Sequence, residues 1–197
     1  GMEDPIEIFH ALDRNIVRIV TVRDEKHGAI MAHGYAQTTG RPGVCASTFG
    51  PGASNLATGL LEALRSSVPV IALVQDHALG MKGKNASSEL DHAAALAPYV
   101  KAAIRIDEPS QAPDRVRRAF RIATSGRPGP VALLCPTDVM ANEGEGDTAA
   151  IERYAQFPSL RPRPPAEDFD RAAALLKSAA RPLIVAGGGS VISGAFD

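Results

Sequence analysis

Short runs of apolar, often β-branched residues recur along this chain, and segments with helical periodicity fill the gaps between them. Ile16–Val22, Gly43–Thr48, Val70–Gln75, Ala102–Ile106, Val131–Cys135 and Leu183–Ala186 each read as a strand buried on both faces. In Ala53–Arg65, the residues Leu56, Leu60, Ala63 and Leu64 fall on one helical face. In Gln111–Ser125, Ala112, Val116, Ala119, Phe120 and Ala123 do the same. Lys26–Thr39 is rich in Ala, Gly and Met, and Gly40 marks its stop. Such alternation predicts an α/β fold of three layers, a mainly parallel sheet with helices on both faces. Ligands of such folds collect at the carboxyl ends of the strands. Those loops begin near Arg23, Phe49, Asp76, Asp107 and Pro136.

The 197 residues have room for one ordinary domain and part of another. A content of 45% hydrophobic and 22% charged residues is too apolar for a disordered chain. Its 21 basic and 22 acidic residues give a formal charge of −1, with no basic excess to draw a nucleic acid or an anionic membrane. The longest apolar stretches, such as Val68–Val74, are too short to cross a bilayer. The start lacks the layout of a signal peptide, and Gly1-Met2 reads as a tag-cleavage scar before a start residue. Cys45 and Cys135 both fall in expected buried strands, which argues against a disulfide framework and for a reduced, cytoplasmic setting.

The pattern breaks after Asp138. Glu143–Asp147 is acidic and glycine-bearing, and Phe157–Pro165 is proline-rich. Proline lacks the amide donor and fixes φ, so this stretch suits neither a helix nor a central strand. The expected organisation is a domain over 1–140, a surface linker over 141–166, and an incomplete second α/β domain over 167–197. That last part reads as a helix, Glu167–Ala180, with Ala172, Leu175, Leu176 and Ala179 on one face. The strand Leu183–Ala186 and Gly187-Gly188-Gly189 follow it.

Residues 43 to 76 read as strand, tight turn, helix, strand. The turn Gly50-Pro51-Gly52 permits close backbone approach, because two of its residues lack Cβ. Ser54 or Asn55 is placed to serve unpaired amides at the helix start. Taken alone, the turn reads equally as a plain strand-to-helix connection. A dinucleotide fingerprint is a rival, with Asp76 at a suitable distance for a ribose hydroxyl. Asn55 stands where that fingerprint needs its third glycine, however, and Pro51 removes a donor from the turn.

The turn is one of several blocks. Thr48-Phe49-Gly50-Pro51-Gly52-Ala53-Ser54-Asn55 continues into Gly59, Ala63 and Val68-Pro69-Val70. Upstream stands Glu25-Lys26-His27-Gly28-Ala29-Ile30-Met31-Ala32-His33-Gly34-Tyr35-Ala36, then Thr39-Gly40-Arg41-Pro42-Gly43-Val44. Downstream come Ser125-Gly126-Arg127-Pro128-Gly129-Pro130-Val131, with Pro136, Asp138 and Val139, and then Arg181-Pro182-Leu183-Ile184-Val185-Ala186-Gly187-Gly188-Gly189. From about Pro5 onward, the order and spacing of these blocks resemble the amino-terminal, pyrimidine-binding domain of thiamine diphosphate enzymes of the acetolactate synthase and pyruvate oxidase group. The closing block resembles the start of that group's central domain.

The resemblance implies a role for Glu25. In this family the thiazolium C2–H must lose a proton, and the cofactor's own 4′-amino group is the base. That group becomes basic when the pyrimidine N1′ is protonated or strongly hydrogen-bonded by a carboxyl group in a water-poor setting. Glu25 falls at the family position, just after the expected strand Ile16–Val22, with Gly28, Ala29, Met31 and Ala32 as small or apolar neighbours. The turn Gly50-Pro51-Gly52 would border the aminopyrimidine ring, with Thr48 and Asn55 lending polar groups. As in any sequence, Thr48 and Asn55 also have local reasons to stand where they do.

Several positions depart from the family pattern. Asp24 stands where histidine is usual and is expected to point to solvent or to Arg23. Ser87-Ser88-Glu89-Leu90-Asp91 corresponds to a motif whose glutamine lies near substrate, so Ser88 is the substrate-side candidate, and its shorter reach leaves the substrate open. Gly80–Ser88 reads as a polar, mobile loop. His27, His33, His77 and His92 read as surface or capping residues. The family's first strand is represented only by Pro5 and Ile6–Leu12, and its diphosphate domain with the metal motif is not in this sequence. The expectation is therefore half of a thiamine diphosphate site. Mg²⁺ and the diphosphate would be held by another domain, with no metal ligands here, and a flavin in the central domain is left open. The chain is expected to join a homodimer or homotetramer whose whole cleaves or joins bonds in 2-oxo acids. A truncated piece, one half of a split enzyme, and a non-catalytic remnant acting as an interaction module all remain open.

Overall fold

The computed structural model of the chain describes residues 16–195. Gly1-Met2 and the Ile6–Leu12 piece lie outside the described residues.

Four parallel strands form one sheet in the order β1 (Gly43–Ser47), β2 (Val70–Asp76), β4 (Val131–Pro136) and β3 (Ala102–Arg105). Gly43 pairs with Val70 and Ser47 with Val74; Ile71 pairs with Val131 and Asp76 with Pro136. Alternation along the central strands feeds two cores. Val70, Ala72 and Val74 join Leu56, Leu60 and Leu96 on one face. Ile71, Val131, Leu133 and Cys135 join Ile104, Ala119 and Ala123 on the other. β4 is buried throughout, whereas β1 is an edge strand with Val44 exposed. Helices α1 (Glu25–Thr39), α2 (Pro51–Asn55) and α3 (Ala57–Arg65) cover the first face, and α5 (Ala112–Thr124) covers the second. The short α4 (His92–Leu96) lies on the first face, and α6 (Thr137–Met140) follows β4 directly.

Local chemistry sets the helix ends. Asp24 is extended and accepts the Lys26 amide at 2.9 Å, so α1 begins with a capped amide. Gly40 ends it in the left-handed region, φ 68°, and donates to Ala36 O. The segment expected as one helix from Ala53 is a pair, α2 and α3, joined through Leu56. Leu56, Leu60 and Ala63 are fully buried, and each leucine contributes about 1.5–3 kcal/mol by burial. Gly59 lets α3 press onto α1. A Cβ there would sit 2.5 Å from Ala29 Cβ and 2.9 Å from the Ile30 amide nitrogen.

Two expected strands are absent. Residues 16–22 join no ladder with the described strands, and Ile16 is 81% exposed. Leu183–Ala186 is also unpaired, with Leu183 and Val185 each 87% exposed. A run of apolar residues becomes a buried strand only where a neighbour takes its amides; none of the described strands does so here.

The chain divides into two compact units between Ser159 and Leu160, inside the stretch read as a linker. Within the first unit that stretch is tied down. Phe157 donates to Gly40 O, Ser159 to Thr124 O, and Arg117 to the carbonyls of Asp147 and Ala149. The second unit has α7 (Ala166–Ser178) and α8 (Gly188–Ile192). The expected apolar face of α7 is uncovered, with Leu175 66% and Leu176 50% exposed.

Candidate functional site

The first unit brings the predicted site residues together at the carboxyl end of β1. The short turn 40–42 sends β1 back along α1, so the start of the helix meets the end of the strand. Glu25 is the first residue of α1 and half-buried. Its Oε2 accepts from Asn55 Nδ2 at 3.0 Å. Its Oε1 lies toward Gly52, 3.4 Å from where a Cβ on that residue would stand. The same Cβ would meet Thr48 Cγ2 at 2.7 Å, so only glycine lets Thr48 and the turn close this tightly. Glu25, Thr48, Gly52 and Asn55 thus form one cluster.

The outcome at individual positions differs from expectation in four ways. Glu25 follows a segment that joins none of the described strands, so α1, not a strand end, positions it. Asn55 and Ser54 do not cap the helix. Asn55 binds Glu25, Ser54 Oγ donates to Pro51 O at 2.9 Å, and Pro51 at the first position leaves one fewer unpaired amide at the helix start. Asp24 stays at the surface, as one of the two expected outcomes has it, and turns there to Lys26, with Oδ2 2.8 Å from Nζ, rather than to Arg23; these bonds hold its carboxyl below the usual range. Two adjacent carboxylates therefore point to different partners. Met31 is half-exposed, whereas Ala29 and Ala32 are buried, packed against Gly59 and Gly43.

Gly50 has φ 58° and ψ −115°, a conformation that a side chain rarely tolerates. Ser88 covers it. A Cβ on Gly50 would lie 2.6 Å from Ser88 O and 2.7 Å from Ser88 Cβ. Ser88 is thus placed against the turn, itself at φ 60°. The loop before it is laced by Glu89, whose carboxylate accepts the amides of Gly83 and Ala86.

His92 is the largest departure. Expected as a surface or capping residue, it is 1% exposed. Its Nε2 accepts the Gly50 amide at 2.8 Å, and its Nδ1 lies 2.9 Å from Asp76 Oδ1. Asp76 also accepts the His77 amide at 2.9 Å, so the carboxylate that the dinucleotide reading assigns to a ribose is engaged within the protein. Burial raises the Asp76 carboxyl, but hydrogen bonds from His92 and the His77 amide, with the charge of Arg105, leave it below the ordinary value. His77 packs against Phe49, ring centroids 4.1 Å apart and the planes tilted by 50°. Cys45 and Cys135 are free and buried, and burial pushes both thiols up to about 12, which leaves neither a nucleophile at neutral pH. Among the described residues, no three His, Cys, Asp or Glu gather to hold a metal ion, and no helix is long and apolar enough to cross a membrane.

Residues 3–95 match the family described as "Thiamine pyrophosphate enzyme, N-terminal TPP binding domain". That segment belongs to the amino-terminal, TPP-binding domains of the thiamine pyrophosphate enzyme family. The chain is 40% identical over 187 residues to a probable acetolactate synthase large subunit of Methanocaldococcus jannaschii, a match that covers 94% of this chain and 32% of that protein. It is 36% identical over 190 residues to acetolactate synthase 2, chloroplastic, of Brassica napus, covering 95% of this chain and 30% of that one. The acetolactate synthase large subunit of Corynebacterium glutamicum is 36% identical over 183 residues, 92% and 29% of the two chains. The chain therefore spans about a third of the length of the curated relatives it matches. It carries the amino-terminal domain of an acetolactate synthase-like thiamine pyrophosphate enzyme, and the parallel sheet with helices on both faces is that domain's α/β architecture. Glu25, Thr48, Gly50, Pro51, Gly52, Asn55, Asp76 and His92 all lie within the matched segment. The Asp76–His92 pair is not legible in the sequence. The two residues stand on separate elements, and one histidine at a helix start looks like a cap.

Proposed function

We propose that this chain forms the half of a thiamine diphosphate site that holds the aminopyrimidine ring, in an enzyme that cleaves or joins carbon–carbon bonds of 2-oxo acids. The observation that carries the reading is the Glu25 carboxylate, fixed by Asn55 and laid against the glycine turn. The residues fit the ring. A planar heterocycle needs a flat wall and a carboxyl at its edge, and Gly52 presents backbone without a side chain next to Glu25 Oε1.

When bound, the cofactor would supply a carbon acid whose conjugate base adds to a carbonyl carbon. This chain supplies position and control of one proton. Glu25 holds or shares a proton with ring nitrogen N1′, which makes the ring's exocyclic amine basic. Asn55 fixes the carboxyl's orientation through Oε2 and leaves Oε1 toward the turn. Thr48 is itself anchored, its hydroxyl donating to Gln75 Oε1 at 3.1 Å. Gly50-Pro51-Gly52 excludes water from one side of the ring, and Ser88 sits over the same turn on the substrate side.

In this reading the diphosphate and Mg²⁺ are held by a domain outside this chain, and the complete site forms across a homodimer or homotetramer. The whole acts as a lyase or transferase in the cytoplasm. The test is a calorimetric titration of thiamine diphosphate with Mg²⁺ into the intact protein, beside Glu25→Gln. The variant takes up the cofactor nearly normally but loses about 10²–10⁴-fold in turnover of a 2-oxo acid such as pyruvate. Unchanged turnover would remove the role given to Glu25.

A further inference from the structure

The last residues of β2, Gln75 and Asp76, act on both flanks of the glycine turn. Gln75 holds Thr48, and Asp76 holds His92, which holds Gly50. A backbone amide can only donate, so His92 Nε2 is the acceptor nitrogen and Nδ1 carries the proton toward Asp76. Gly50 is fixed at its other end too, since its carbonyl accepts the Ser54 amide at 3.0 Å. Ser88 closes the space where a side chain would be. The conformation of Gly50, which only glycine readily adopts, is thereby set by His92, Ser54 and Ser88 together.

We propose that Asp76 and His92 are a positioning pair that orients the Gly50-Pro51-Gly52 turn, and through it the ring wall. Neither residue touches the ring. The inference rests on the reading that this turn borders the aminopyrimidine. Asp76 selects the His92 tautomer, and that tautomer presents a lone pair to the buried Gly50 amide. Without it the amide has no acceptor and the turn relaxes from its tight conformation.

The intact protein is titrated with thiamine diphosphate and Mg²⁺, and separately with inorganic diphosphate and Mg²⁺, which lacks the ring. His92→Phe fills the volume without an acceptor and weakens thiamine diphosphate binding by about tenfold or more. Inorganic diphosphate binds as before. His92→Gln, whose side-chain oxygen reaches the Gly50 amide, recovers most of the affinity. Equal thiamine diphosphate affinity in wild type and His92→Phe overturns the pair's role while leaving the site reading intact. Failure of the wild type to bind thiamine diphosphate sinks the site reading instead. Nitrogen-15 spectra of the wild type decide the matter should His92→Phe not fold. They show a neutral His92 with its proton on Nδ1 and a coupling from Nε2 to the Gly50 amide; a proton on Nε2 overturns the pair.

Discussion

Asp24 and Glu25 are neighbouring carboxylates with opposite assignments. Asp24 binds Lys26 and starts the helix, which leaves Glu25 to turn inward to Asn55 and Gly52. A third carboxylate, Glu89, is exposed to pH in a way that can be read directly. The Gly83 and Ala86 amides that it accepts hold its carboxyl below the ordinary value of 4.5. A depressed folded value means that the order it gives the loop is complete above pH 4.5 and is lost as pH falls through the lower folded value. Amide chemical shifts of Gly83 and Ala86 should therefore move together as the Glu89 carboxyl titrates below pH 4.5, and Glu89→Gln should abolish that step. Shifts that ignore the titration would mean that Glu89 does not order the loop.

Among the elements, the contact between α1 and α3 is the tightest test of packing. Gly59→Ala adds helix propensity of about 1 kcal/mol. The added methyl, however, meets Ala29 Cβ at 2.5 Å and backbone atoms of Ala29 and Ile30 that cannot swing aside. Overpacking of that kind costs about 1–3 kcal/mol, so it wins, and the thermal midpoint should fall while the adjacent exposed Thr58→Ala leaves it nearly unchanged. A raised midpoint for Gly59→Ala would show that the helices part more easily than these distances allow. The helices were readable because amphipathic spacing reports which face is buried. α1 and α5 begin and end within about two residues of expectation. The segments 16–22 and 183–186, which join none of the described strands, were not readable, because an apolar run reports that burial suits it, not that a neighbouring strand is at hand. Glu25 and the glycine turn were visible through blocks of residues in order. The Asp76–His92 pair depends on two elements meeting in space, which spacing along the chain does not encode.

At the scale of the whole molecule, two compact units meet the sequence differently. The first closes a sheet and two cores around the site, while the second leaves Leu175, Leu176 and Leu183–Val185 uncovered. The chain spans about a third of its relatives' length, and the proposed function assigns the remaining walls of the site to parts outside it. What this chain must contribute is one carboxylate at the edge of one ring. A crystal structure of the intact protein with thiamine diphosphate bound measures this most directly. It should place a Glu25 carboxylate oxygen about 2.6–3.0 Å from ring nitrogen N1′, with the ring plane against Gly50-Pro51-Gly52. A ring seated elsewhere, or a Glu25 side chain turned to solvent with another group at N1′, would contradict the account.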